Sequence, residues 1–231
     1  MDETRLLDEQ RAYYRARARE YDRWWMREGR FDHGAAANAR WFDEVSKLEH
    51  ALERLGPGGD VLEFACGTGL WTRALVRDAR RVTAVDAAPE VLEINRERVG
   101  SERVDYVEAD LFEWTPPEAQ FDLCFFSFWL SHVPESRFAD FWEKVRLALR
   151  PGGRVFLIDS ARSDTSGASD HPGPTEGDQT ALRRLDDGSE FQIVKRYYEP
   201  RRLERTLADL GFEVAVQSTG EYFIHGAGAP A

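Results

Sequence analysis

The chain has 231 residues, enough for one domain with a sizeable core and short for two. Its 42 acidic residues outnumber 31 basic ones, and the formal net charge of -11 repels nucleic-acid phosphates and anionic headgroups. Small molecules are therefore the expected partners, with no nucleic acid and no membrane, since no apolar run approaches the roughly 20 residues of a bilayer span.

The polar, acidic start MDETRLLDEQ predicts a cytoplasmic protein. Over residues 4–27, Tyr14, Ala18, Tyr21 and Trp25 recur at helical spacing and predict one helix with an aromatic face. Trp41, Val45, Leu48, Leu52 and Leu55 mark a second helix that stops at GPGGD, so residues 1–55 read as an N-terminal helical cap. From 58 to 159 apolar runs alternate with helical patterns: VLEFA, a helix near 69–78, RVTAVDA, a helix opened by Pro89, VDYVEAD, FDLCFFSF, a helix carrying Phe138, Phe141, Trp142, Val145 and Leu149, and RVFLIDS. That order predicts a parallel sheet covered on both faces, with ligands at the carboxyl ends of its strands. Cys66 and Cys124 sit in two of the apolar runs without metal-ligand or disulfide spacing and read as buried, reduced thiols.

Residues 160–189 are polar and rich in Gly, Ser, Asp and Pro, the composition of a functional or disordered loop. Residues 190–231 then supply an extended EFQIVKRYY, a helix near 200–210, and two late strands in FEVAVQSTGEYFIHGAG.

Three acids lie in or near the ends of three successive strands: Glu63, Asp86 and Asp110. Asp86, 17 residues past Gly69, suits a ribose, because two carboxylate oxygens accept from vicinal hydroxyls. Asp110 suits the exocyclic amine of a purine, with Leu111 as an apolar edge. The glycine turn narrows the nucleoside further. Gly67 and Gly69 are followed by Thr72, so the third glycine of a pyrophosphate-binding turn is missing, and Glu63 and Asp86 disfavour phosphate in the same crevice. A ligand with an adenosine end and a cationic, zwitterionic other end fits better.

In order and spacing, VLEFACGTG, VTAVDAAPEVL, YVEAD, FDLCFFSFWLSHVP, LRPGGRVFLID and LGFEV resemble the motifs of class I S-adenosylmethionine-dependent methyltransferases of small-molecule type. The resemblance implies an α/β, Rossmann-like seven-stranded sheet, mostly parallel with an antiparallel final strand, and S-adenosylmethionine lying across the first four strands. It places the methionine part near Glu63 and the backbone of Ala65, Cys66 and Gly67, and the ribose on Asp86 beside Ala87. Adenine falls at Asp110 and Leu111, and the sulfonium at Phe126 and Ser127. Ala65 stands where the family usually has glycine. YYRARAREYD resembles a lid helix, so that Tyr13, Tyr14 or Tyr21 would cover the methyl group and Arg15, Arg17 or Arg19 would meet the cofactor carboxylate.

Methyl transfer needs orientation, exclusion of water and, for a hydroxyl or ammonium acceptor, a base. His132, just after the fourth strand, is the base candidate. His171 with Asp170 reads as loop, and no spacing suggests a metal site. Trp24, Trp25, Phe31, Trp41, Phe128, Trp129, Tyr197 and Tyr198 are either core or pocket wall, and Arg183 and Arg184 either solvated surface or an anion site. The expected function is methyl transfer from S-adenosylmethionine to an O- or N-nucleophile of a small molecule by a monomer or homodimer, leaving S-adenosylhomocysteine. Three alternatives stand beside it. A nucleic-acid methyltransferase is opposed by the charge and by SFWLSHVP in place of an N-P-P-Y type motif, and a nicotinamide-dependent reductase by the missing glycine. A non-catalytic binder of the cofactor is the third.

Overall fold

The computed structural model describes residues 2–171, 177 and 179–231. Along the chain lie helices α1 (Glu3–Arg17), α2 (Tyr21–Trp25) and α3 (Ala35–Leu55), then β1 (Gly59–Phe64), α4 (Thr72–Asp78), β2 (Ala79–Asp86), α5 (Pro89–Val99) and β3 (Val104–Glu108). β4 (Phe121–Ser127), α6 (Phe138–Ala148) and β5 (Leu149–Ser160) follow, then β6 (Thr180–Arg184), β7 (Glu190–Val194), α7 (Pro200–Asp209), β8 (Phe212–Ser218) and β9 (Phe223–Pro230). Seven strands form one sheet in the order β3-β2-β1-β4-β5-β9-β8, parallel except for β9, which runs antiparallel to both neighbours. The parallel sheet expected from the strand and helix order is observed, in the Rossmann-like seven-stranded form that the resemblance implies. No helix among the described residues is long and apolar enough to cross a membrane.

Side-chain alternation sorts the central strands into two cores. Leu62, Phe64, Cys124, Phe126 and Leu157 face Phe141, Trp142, Leu203 and Leu207 of α6 and α7. Val61, Leu123, Phe125, Phe156 and Ile158 face Trp41 and Leu48 of α3 and Leu75 of α4. Each such fully buried aliphatic or phenyl side chain contributes about 1.5–3 kcal/mol relative to exposure. Both cysteines are free and buried, and burial raises their thiols.

The single helix expected over residues 4–27 is two. α1 lies along β7, with Tyr13 packed against Phe191, whereas Trp25 of α2 buries against Trp41, Trp71 and Phe223 on the main sheet. One straight helix cannot serve both surfaces, and the chain turns at Ala18–Glu20, where Ala18 is buried beside Ala88 and Val91.

The expected loop over 160–189 also needs correction. β6 pairs antiparallel with β7 as a hairpin separate from the main sheet. Its Asp187-Gly188 turn, with Gly188 at φ +87°, is the hairpin signal that the polar composition hid. Residues 172–176 and 178 of that expected insertion lie outside the described residues.

Candidate active site

Two adjoining cavities open where β1, β2 and β4 end and α1 and α2 cross above them. The narrower, about 90 Å³, is lined by Ala65, Gly67, Asp86, Ala87, Asp110, Leu111 and Ser127 from the sheet side, and by Tyr14 and Tyr21 from the helices. Asp86 ends β2 and is clamped by backbone: the Gly67 N–H donates to Oδ2 and the Ala88 N–H to Oδ1, each at 3.0 Å. The carboxylate lines the cleft and keeps acceptor capacity beyond these bonds. Burial raises the Asp86 pKa, against the Gly67, Ala88 and Ala87 amides that lower it. Asp110 accepts the Phe112 N–H at 2.9 Å, and its other oxygen is ion-paired with Arg11 of α1, so the helix is latched to this edge of the cleft.

Glu63, Cys66 and Phe126 do not line this cleft. Phe126 points into the core under α6, and the next residue, Ser127, faces the cleft instead. Glu63 is 1% exposed and points toward α4, where the Thr72 hydroxyl donates to it at 2.6 Å. Asn95 Nδ2 donates to Thr72 Oγ1 at 2.8 Å and to the Gly67 carbonyl at 3.1 Å, and the Tyr106 hydroxyl donates to Asn95 Oδ1 at 3.0 Å. The two departures from a phosphate-binding turn, the acid at 63 and the threonine at 72, are therefore partners of each other. Burial pushes the Glu63 pKa up to about 8, against the Thr72 bond. Ala65 adopts φ +51°, the left-handed conformation that glycine takes without strain.

The wider cavity, about 500 Å³, shares Tyr14, Tyr21, Phe128 and His132 with the cleft. His132 is buried. Its Nδ1 lies 2.7 Å from the Val194 carbonyl, which only accepts, so Nδ1 carries the proton and Nε2 accepts the Tyr14 hydroxyl at 2.8 Å. Burial, then the charge of Lys195, holds His132 well below the ordinary imidazole range and keeps it neutral. Arg17, Arg183 and Lys195 line this cavity. Of the arginines considered for the cofactor carboxylate, Arg15 donates to the Ala87 carbonyl at 3.3 Å, Arg19 is exposed, and Arg17 faces the wider cavity. Trp24, Phe31, Phe128 and Tyr197 wall it, Trp129 walls the cleft, and Trp25, Trp41 and Tyr198 are packed in the two cores.

Lys195 is one of three lysines among 31 basic residues, a rarity that composition alone assigns to codon usage and not to chemistry. It is buried with Asp159 at the end of β5, whose Oδ2 accepts the Ser131 N–H at 2.7 Å. His171, read as loop, sits at the cavity rim, where Nε2 accepts the Arg184 N–H at 3.1 Å. Among the described residues no group of three His, Cys, Asp or Glu is placed to hold a metal.

The narrow cleft fits S-adenosylmethionine chemically. Asp86 offers acceptors for a ribose, and Val91 and Leu111 form apolar walls beside Asp110 for a purine. The indole N–H of Trp129 is buried in the wall without a hydrogen-bond partner among the described residues. At about 90 Å³ the cleft is narrower than the roughly 300–1,000 Å³ of ligand sites, and α1 is latched across it by the Arg11–Asp110 pair.

Residues 61–153 match a family model described as a methyltransferase domain. Over part of its length the chain is 36% identical to ubiquinone biosynthesis O-methyltransferase of Xylella fastidiosa, covering 57% of this chain and 58% of that one. It is 35% identical to malonyl-[acyl-carrier protein] O-methyltransferase of Serratia marcescens, covering 44% of this chain and 38% of the other. The matches thus span roughly two fifths to three fifths of these curated relatives. A solved DhpI-SAM-HEP complex superposes with a TM-score of 0.78 at 38% identity, covering 97% of this chain and 98% of that one. With an identity of that size sustained over nearly a whole solved chain, and with the sheet order and cleft described above, the protein belongs to the class I S-adenosylmethionine-dependent methyltransferases.

Proposed function

We propose that the protein transfers the methyl group of S-adenosylmethionine to a small-molecule acceptor in the wider cavity, leaving S-adenosylhomocysteine. The observation that carries this reading is the shared wall: Tyr14, Tyr21, Phe128 and His132 border both cavities, so a donor in the narrow cleft would present its sulfonium end to the mouth of the other. Asp86 would hold the ribose, Asp110 and Leu111 the adenine, and Ala65 and Gly67 the methionine backbone. When bound, the cofactor supplies an electrophilic methyl; the chain positions the two partners and excludes water. Tyr14 and Tyr21 close the junction from above, and Phe128, held at φ +53° after β4, closes it from the sheet. The acidic balance supports a cytoplasmic protein acting on small molecules and not on nucleic acid.

The test is calorimetry with S-adenosylmethionine, S-adenosylhomocysteine and NADH. Micromolar binding of the first two and none of NADH is expected, followed by transfer of a labelled methyl to one member of an acceptor panel. Binding of NADH alone would overturn the proposal.

A further inference from the structure

Resting on the reading of the narrow cleft as the donor site, we propose that Asn95 of α5, which lines neither cavity, is a positioning residue for S-adenosylmethionine. It holds the turn after β1 in the shape that receives the methionine and ribose parts.

The turn does not set its own shape. Ala65, Gly67 and Gly69 all lie at positive φ, at +51°, +52° and +88°, and the backbone bond that closes it, from the Gly69 N–H to the Cys66 carbonyl, is long at 3.3 Å. Left-handed residues so close together persist only when their surroundings fix them. Asn95 supplies that hold. It is fully buried, and both carboxamide protons are committed: Nδ2 donates to the Gly67 carbonyl at 3.1 Å and to Thr72 Oγ1 at 2.8 Å. Oδ1 accepts the Tyr106 hydroxyl at 3.0 Å, which stops the carboxamide from flipping. Gripped at its carbonyl, Gly67 donates its N–H to Asp86 Oδ2 at 3.0 Å, so Asn95 stands one residue away from the ribose carboxylate.

The glycine at 69 has the same cause. A Cβ built there would stand 2.5 Å from Asn95 Oδ1 and 3.1 Å from its Cα, closer than side-chain contacts allow. The glycine that suggested a phosphate cradle makes room for a carboxamide instead. Beyond Asn95 the bonds continue through Thr72 to Glu63 at 2.6 Å. The titratable and charged groups around this point are Glu63 of β1, Cys66 in the turn, Asp86 of β2 and Tyr106 of β3. Arg96 lies over the Tyr106 ring at 4.7 Å, and Arg98 donates to the Thr68 carbonyl at 2.8 Å. Burial raises both carboxyl groups, Glu63 and Asp86, and an aspartate placed at 95 would take up a proton for the same reason.

That substitution is the test, read by calorimetry of the whole chain with S-adenosylhomocysteine at pH 8 and pH 6, each variant against the parent at the same pH. Asn95→Asp keeps the shape and the acceptor for Tyr106, but once ionised it has no proton for the Gly67 carbonyl. Affinity should fall about tenfold at pH 8 and return to within about threefold at pH 6, where the protonated carboxyl donates again. Asn95→Leu, a donor at no pH, should lose about tenfold at both. Val145→Ala, a cavity in the core under α6, should lower stability in urea and leave affinity within about twofold. Amide hydrogen exchange of the cofactor-free chain reads the hold directly. Protection of the Gly67 N–H, taken relative to the Phe125 N–H of β4, should fall about tenfold in Asn95→Leu and stay unchanged in Val145→Ala. Unchanged affinity or unchanged Gly67 protection in Asn95→Leu, a loss in Asn95→Asp as large at pH 6 as at pH 8, or an equal loss of affinity in Val145→Ala would each overturn the proposal. If the parent binds no S-adenosylhomocysteine, the donor assignment falls instead, and the exchange measurement still decides whether Asn95 holds the turn.

Discussion

The two cavities are neighbours made in opposite ways. The narrow cleft is acidic and comes mainly from strand ends, with Asp86 held by the Gly67 and Ala88 amides and Asp110 by that of Phe112. The wider cavity is cationic and draws Arg17 from α1, Arg183 from β6 and Lys195 from the segment after β7. A sheet fixes the first by register, while the second exists only once distant segments have packed. The narrow cleft is thus built by local register, and the wider cavity by contacts between distant segments.

The sharpest way to break this contrast is Asp86→Ala. Losing two hydrogen bonds to a charged acceptor, each worth roughly 1.5–3 kcal/mol, should lower S-adenosylhomocysteine affinity about 100-fold by calorimetry. Acceptor binding in the wider cavity should be unchanged; if both fall together, the two halves are not separable.

Next in size is Glu63→Gln, which asks whether every carboxylate near the cleft serves the ligand. The Glu63 pKa is raised from 4.5 to about 8, so its contribution to stability is fully present below pH 4.5 and is lost as pH rises toward 8. Glutamine does not titrate. The variant should therefore match the parent near pH 4.5 and exceed it at pH 8, by on the order of 2 kcal/mol in urea unfolding. An advantage that shrank with rising pH would show that Glu63 is ionised in the fold.

Ala65→Gly relieves a left-handed alanine and should stabilise the chain by about 1 kcal/mol, seen as a Tm increase of roughly 2–4 °C. The smallest effect is expected from Arg11→Ala. The Arg11–Asp110 pair is partly exposed and worth about 0.2–1 kcal/mol, so releasing it should tighten S-adenosylhomocysteine two- to fivefold. Weaker binding would mean that Arg11 holds the cofactor and does not latch the empty cleft.

What could be read from the sequence follows the same division. Strand order, the glycine turn and the placement of Asp86, Asp110 and Leu111 at one cleft were legible because each depends on local pattern and on the rule that ligands lie at strand ends. Glu63 was visible as an acid out of place, but its partner was not: Thr72 was noted only as a missing glycine, and the bond between them spans a turn whose geometry no periodicity encodes. Lys195 and Asp159 were missed because 36 residues and a hairpin separate two groups that meet 3.9 Å apart. The split at Ala18–Glu20 was missed because helical spacing continues through it, and only the two surfaces served by α1 and α2 require the turn.

The β6–β7 hairpin has a further consequence. Its strands bond to each other and not to the seven-stranded sheet, yet it supplies Arg183 and leads directly into Lys195. Other side chains on a hairpin of the same span, with the Val194 carbonyl still holding His132, would change the wall of the wider cavity while Asp86 and Asp110 keep the amides that hold them. Divergence of acceptor preference among related chains could then proceed through short segmental replacement, without reworking the sheet.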